Sequence, residues 1–452
     1  MTGYTIFRSF LLVVVIAMVA QAASAQRFSL NHSRTMYDIF DNPYQSAYAQ
    51  SRTSQFEEDQ GGRVLIDLLY FNAPGVSMSG RFSKNVGSFI YGDQDLQLEP
   101  TINPEESFLY TNMRFHALGL SYRIEKETNT EIRFQNQLVL NGQFNVNDNF
   151  LVGFLDNGDP QFRGRELPGV LDIGGELTSY NKTTLGVRRD VDFYGTWNVG
   201  LQLHYYSGIY YAEAGLNNSF LFTQQDGESV RAYTEGLIRS STTLDTLEDG
   251  SFDPLDALGN NNGFGVSLGL EYFIQPDFSV FFSAKDIGSI NWNHTPQTVT
   301  IDSASIQWEG VNYEEEFEGF EVTNVDSFAN ANNGYFVADT SNEGFTAPVP
   351  TTLEIGAYKR WNQRLKTVFL VAKQFPEDPI RFNAIGHYQV IGGLHINSSL
   401  ALSGDGLFSL GSYLFYNGRY FNAFLGSEQL SHLFIQQGNL GADFSMGLGL
   451  RF

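Results

Sequence analysis

The sequence predicts an all-β protein, a transmembrane antiparallel β-barrel of about 14 strands with long extracellular loops, residues 62–452. Three observations predict it: period-2 alternation recurs along the chain, the alternating segments are roughly 9–11 residues long, and aromatic residues stand at the ends of their apolar stripes. Soluble strands are usually about 5–6 residues, so the greater length selects a bilayer crossing at a tilt. A closed barrel also removes the exposed strand edges that an open sheet of this size would present. Composition agrees: aromatics reach 15% while charged residues are only 17%, below the quarter common in soluble proteins. After the first 25 residues the longest apolar run is Val368 to Ala372, far short of the ~20 residues a spanning helix needs.

In chain order, residues 1–25 read as a cleaved signal peptide. Arg8 supplies a positive charge, Phe10 to Ala20 an apolar core, and Ala23-Ser24-Ala25 a small-x-small cleavage site. Residues 26–61 are polar and aromatic with poor periodicity, a segment that either waits in the periplasm or plugs the lumen. Candidate strands then follow near 62–71, 75–82, 115–124, 131–138, 183–189, 197–206, 231–239, 264–272, 278–285, 352–359, 367–375, 382–390, 394–403, 408–416, 420–427 and 443–452. These exceed 14, so some belong to loop hairpins or an internal segment. The 197–206 segment shows the pattern: Trp197, Val199, Leu201, Leu203 and Tyr205 share one face, and Asn198, Gly200, Gln202, His204 and Tyr206 the other. Turns at Asn129 and at Gln275-Pro276-Asp277 are short and belong on the periplasmic side. Residues 286–349, with Glu314-Glu315-Glu316, form a long acidic extracellular loop that partly extends strands above the membrane.

The last strand has Phe444, Met446, Leu448, Leu450 and Phe452 on a wholly apolar face, the pattern of a barrel-assembly signal. The polar faces of the other strands supply candidate lumen-lining residues: Glu131, Arg133, Gln135, Gln137, Gln202, His204, Glu271, Lys285, Lys373 and Arg381. A mixed lining of this kind gives little ion selectivity, and the charges either pair across the lumen and seal it or line a pore.

The opening stretch Ser29-Leu30-Asn31-His32-Ser33-Arg34-Thr35-Met36-Tyr37-Asp38, with Phe40-Asp41-Asn42-Pro43, and the mid-chain Lys285-Asp286-Ile287-Gly288-Ser289-Ile290-Asn291-Trp292 carry a resemblance. They resemble a Bacteroidota outer-membrane β-barrel family labelled as a domain of unknown function, loosely similar to long-chain fatty-acid transporter barrels. The resemblance implies location in the cell outer membrane, outer-membrane lipid as surroundings and the barrel assembly machinery as a partner in biogenesis. It transfers no substrate and no catalytic residue.

There is no His-Glu-x-x-His, no Gly-x-Ser-x-Gly and no phosphate-binding Gly-x-x-x-x-Gly-Lys. Gly75-Val76-Ser77-Met78-Ser79-Gly80 has the wrong spacing for a serine elbow. The seven His are separated by more than four residues, without zinc-ligand spacing. Asp245 to Asp253 departs from a calcium loop at Leu247 and reads as a solvated acidic loop, and Glu314 to Glu316 could bridge divalent ions to lipopolysaccharide. The chain therefore reads as no enzyme, with no cofactor and no metal site. Its net charge of −23 argues against nucleic acid, and the absence of cysteine fits an extracytoplasmic place. Two functions fit. One is passive transport of a small hydrophobic or amphipathic ligand across the outer membrane. The other is a structural, assembly or secretion-apparatus partner barrel with a closed lumen.

Overall fold

The computed structural model describes residues 64–79, 106–125, 130–147, 149, 164, 166–170, 172–191, 197–223, 229–242, 259–275, 277–309, 335–375, 380–403, 408–418, 420–427, 440–442 and 444–451. The expected leader, the 26–61 segment, the acidic stretches 245–253 and 314–316, the turn residues Asn129 and Pro276, and Phe452 lie outside them.

The strands are β1 (Val64–Ser79), β2 (Glu106–Glu125), β3 (Thr130–Asn147), β4 (Glu166–Pro168), β5 (Ile173–Val191), β6 (Trp197–Thr223) and β7 (Ser229–Ser240). They continue as β8 (Asn261–Gln275), β9 (Phe278–Trp292), β10 (Gln297–Glu309), β11 (Tyr335–Ser341), β12 (Phe345–Pro348), β13 (Thr351–Arg360) and β14 (Leu365–Phe375). The last six are β15 (Arg381–Ile391), β16 (Leu394–Ser403), β17 (Phe408–Asn417), β18 (Phe421–Ser427), β19 (Leu440–Ala442) and β20 (Ser445–Arg451). All of the pairings are antiparallel.

Hydrogen-bonded pairing makes a closed circuit. It runs β1, β2, β3, β5, β6, β8, β9, β13, β14, β15, β16, β17, β18, β20 and back to β1, fourteen strands in all. At the seam Leu65 stands opposite Arg451 and Phe71 opposite Met446. The two candidate segments 62–71 and 75–82 are one strand. Pro74 and Gly75 interrupt the β1–β2 register only between Asn72 and Gly75, a local irregularity that bends a strand without ending it. The 231–239 candidate corresponds to β7, which lies outside the circuit.

Strand ends sort the two rims. β2 to β3, β8 to β9, β13 to β14, β15 to β16 and β17 to β18 are joined by a few residues on one rim, where β1 also begins and β20 ends. The long connections all lie on the other rim, beside two short ones, β14 to β15 and β16 to β17, the pattern of periplasmic turns against extracellular loops. On that rim β6, at 27 residues, is far longer than a crossing requires. Its first part pairs with β8 up to Gly208, and its later part pairs with β7 from Ala212 onward. β7 continues through β10 to β11, and β4 adds to the far end of β6. The 286–349 stretch thus contains the end of β9, β10, β11 and β12, and β12 pairs with the end of β9. The wall branches at Gly208 to Ala212, and this branch positions the site below.

Burial alternates as the closed circuit requires. Large apolar side chains on the outer face are exposed, among them Leu203, Phe264, Ile355, Phe369, Phe382 and Leu425. Aromatic pairs mark both ends of the β6–β8 pair: Trp197 with Tyr272 at 4.7 Å and Tyr205 with Phe264 at 5.5 Å between ring centroids. Eight residues separate Trp197 from Tyr205, about 26 Å of strand. At a barrel's usual tilt this is about 20 Å of membrane depth, close to the apolar band of such barrels.

Candidate functional site

Among the described residues, buried polar groups converge in the lumen. Of the predicted lining residues, Arg133, Gln135, Gln137, Gln202, His204, Glu271 and Arg381 all lie on inward faces and are buried. Lys285 points inward, half-buried. Glu131 stands opposite Arg188 in register, and its side chain is outside the described residues. Lys373 does not join them. It lies on the outward face with Phe369 and Phe375, its ammonium 5.0 Å from the Phe375 ring, while Val368, Leu370 and Ala372 point inward and are buried. Phe444, Met446 and Leu448 are exposed on the outer face, and Leu450 is half-buried on it.

The inward groups are joined. Glu354 of β13 accepts hydrogen bonds from Lys285 Nζ at 2.6 Å and Ser283 Oγ at 2.8 Å. Glu271 accepts from Ser279 Oγ at 2.6 Å. His204 lies between Thr184 Oγ1 at 2.9 Å and Ser267 Oγ at 2.7 Å. On the opposite flank His387 bonds Asn397, and its ring is 5.1 Å from that of His395. Between these polar groups lies an apolar cluster of Phe281, Tyr358, Val368, Leu370, Ala372 and Ile385. An open aqueous lumen would leave such side chains wetted, whereas here they pack against one another.

The hub is Asp286. Its φ of 57° is the left-handed region that Asp tolerates better than most residues, and it coincides with a break in β8–β9 register between Val266 and Leu268. The bulge turns the carboxylate into the lumen. There Oδ1 accepts from Lys182 Nζ at 2.5 Å and Tyr206 OH at 3.3 Å, with His204 Nε2 at 3.5 Å. The Asp286 N–H donates to Ser267 Oγ at 2.8 Å, and its carbonyl accepts from Thr351 Oγ1 at 3.1 Å. One residue therefore ties β5, β6, β8 and the start of β13 to β9. Two residues on, Gly288 comes so near β8 that a Cβ would stand 2.4 Å from the Phe264 carbonyl oxygen, so no larger residue fits. The Lys285-Asp286-Ile287-Gly288 motif thus acquires a physical meaning as a tie among five successive strands of the wall. Neither Asp286, Lys182 nor Glu354 stood out as a lining residue in the sequence. Asp286 escaped because the bulge shifts its phase, and only the motif itself signalled it.

Directly beside the hub, toward the rim that carries the long connections, is an aromatic cluster. Tyr180, Tyr206, Tyr211, Ile290, Trp292 and Val349 pack together with Phe345 at the branch of the wall. Ring centroids are 5.5 Å apart for Tyr180–Tyr206, 5.4 Å for Tyr211–Trp292 and 5.2 Å for Tyr211–Phe345. The Arg239 guanidinium lies 5.1 Å from the Phe345 centroid and donates to Glu213 at 3.0 Å. Among the described residues, no three His, Cys, Asp or Glu side chains are grouped to hold a metal ion.

The model of a family of unknown function, DUF5723, matches residues 69–428. The chain belongs to the DUF5723 family. The match spans β2 to β18 in full and contains the Asp286 hub and the aromatic cluster. No curated protein matches this DUF5723 chain. Among solved structures it is similar to the toluene transporter TbuX of Ralstonia pickettii, at 10% identity over 87% of this chain and 90% of that one, TM-score 0.41. It is likewise similar to the toluene transporter TodX of Pseudomonas putida, at 9% identity over 95% and 94%, TM-score 0.38. The translocator domain of the autotransporter NalP from Neisseria meningitidis matches at 10% identity over 91% and 98%, TM-score 0.27.

Proposed function

We propose that this DUF5723 protein is an outer-membrane barrel that passes a small hydrophobic or amphipathic molecule without energy coupling, through a lumen shut to bulk water and ions. The observation that carries the reading is the aromatic cluster at the branch of the wall, set directly above a paired polar network. Aromatic walls with a few placed polar groups are how proteins hold small apolar ligands, and buried ion pairs below them form a barrier to ions. The exposed outer face, with Met446 and Leu448 in its last strand, is the surface for outer-membrane lipid. The final apolar stripe through Phe452 is the segment the barrel assembly machinery would read.

The test is uptake of a hydrophobic fluorescent naphthylamine by intact cells with and without the protein. Faster entry in producing cells is the expected result. Equal rates at matched outer-membrane levels would refute transport. A second reading, a closed scaffold barrel, is favoured by the packed Phe281–Tyr358–Leu370 cluster inside the wall, and it predicts those equal rates.

A further inference from the structure

Two donors at the aromatic cluster have no partner among the described residues. Trp292 and its neighbour Asn261 are both 0% exposed, and neither Trp292 Nε1 nor Asn261 Nδ2 has an acceptor among the described residues. The β8–β9 register places Asn262 opposite Asn291, so Asn261 and Trp292 are direct cross-strand neighbours. Both also border Gly208, where a Cβ would lie 2.6 Å from the Trp292 ring and 3.0 Å from the Asn261 Cβ. That glycine is the last β6 residue paired with β8 before the wall branches.

The other polar groups here are committed. Asn261 Oδ1 accepts the backbone N–H groups of Asn293 and His294, each at 2.9 Å. Tyr211 OH donates to Glu213, and Tyr206 OH donates to Asp286. The nearby cations are ion-paired, Lys182 with Asp286 and Arg239 with Glu213 through Nη1, although Arg239 Nε has no acceptor among the described residues. Buried donors without an acceptor are costly, and native structures leave few of them. What the two have in common is that each can only donate toward a ligand, since an indole N–H has no acceptor capacity and the amide oxygen is already in use.

We infer that Trp292 and Asn261 form a ligand subsite, which takes the neutral acceptor oxygen of a small flat molecule whose apolar body lies against the Tyr211 and Phe345 rings. The ligand class is an uncharged aromatic carbonyl compound. A carboxylate is disfavoured, because an ionised group buried here would lack a free cation to pair with. The inference rests on the proposed function and narrows it to a substrate class.

The probes are acetophenone, its acceptor-free isostere isopropylbenzene, and benzoate, titrated calorimetrically into the detergent-solubilised full-length protein. Acetophenone is expected to bind at least about tenfold tighter than isopropylbenzene, the factor that corresponds to about 1.4 kcal/mol, and tighter than benzoate. Trp292→Phe keeps a ring and removes the donor, so it should reduce the acetophenone-to-isopropylbenzene ratio to about one. Heat-modifiable migration of the variant verifies that its barrel is intact. Should W292F fail to fold, the unmodified protein serves instead: anisole, a weaker acceptor of similar size, should bind between acetophenone and isopropylbenzene, and anisole binding as tightly as acetophenone would overturn the subsite. Equal binding of acetophenone and isopropylbenzene by the unmodified protein would overturn the subsite while leaving the proposed function standing, and so would tighter binding of benzoate. Binding of none of the three would overturn both.

Discussion

Replacing Asp286 by Ala should destabilise the barrel more than any other single change in the lumen. The substitution removes the carboxylate that Lys182 contacts at 2.5 Å, where the Lys182 side chain is 10% exposed. Leaving one member of a buried ion pair unpaired costs about 3–5 kcal/mol. Alanine must also adopt φ near 57°, which adds about 1–2 kcal/mol for a residue with a Cβ and no local side-chain hydrogen bond. The expected loss is therefore about 4–7 kcal/mol. Asp286→Asn keeps the acceptor oxygen and the tolerated backbone, and should lose less. Adding Lys182→Met to Asp286→Ala removes the stranded charge and should recover a large part of the loss. The assay is urea unfolding of the protein in lipid vesicles, followed by heat-modifiable migration on gels. A loss below about 1 kcal/mol for Asp286→Ala, or no recovery in the double variant, would refute this tie between the wall strands.

Other outcomes follow from the same architecture. Leu201 is midway between Trp197 and Tyr205 on the outer face, so Leu201→Arg should cost about 2–4 kcal/mol in vesicle unfolding, the penalty at a bilayer midplane; a neutral result would place this strand elsewhere. At the seam, Phe71 and Met446 are directly opposed, and such Cα atoms lie about 4.5–5.5 Å apart, within disulfide reach. In this cysteine-free chain the Phe71→Cys/Met446→Cys variant should oxidise to one intramolecular bond, detected by its altered gel migration, and failure to cross-link would contradict closure there. In the β8–β9 turn, the hydrogen bond from Lys359 Nζ at 2.6 Å holds the Asp277 carboxyl below its usual range. A lowered carboxylate pKa stabilises above the unfolded-state value of about 3.9 and is lost as pH falls through the folded value. Lys359→Met should return Asp277 to the usual range in an NMR titration; an unchanged value would assign the shift to another cause.

Much of this was legible in the sequence because lipid imposes a pattern. Strands with one face in the membrane must alternate, so 197–206, 264–272 and 394–403 were readable as crossings. The two surplus candidates had physical causes. Pro74-Gly75 looks like a strand break but only bends β1, and 231–239 alternates although it pairs with β10 outside the circuit. Strands β4, β10, β11 and β12 have no lipid face, so nothing forces a regular stripe on them, and they read as loop. Val368 to Ala372 is apolar on both faces, outward to lipid and inward to the Phe281–Tyr358 cluster. It therefore carries no phase, and Lys373 could not be assigned a side from the pattern alone. The site's centre was harder still. A bulge at Asp286 reverses the alternation that identifies lining residues, and its partner Lys182 lies 104 positions away, joined to it only by the order of strands around the wall.

The central claim, a closed fourteen-stranded barrel whose lumen is shut by its own paired side chains, is tested most directly by single-channel recording of the purified protein in planar bilayers. The account predicts insertion without discrete ion-conductance steps at any applied voltage. Regular, reproducible steps from the unmodified protein would contradict it.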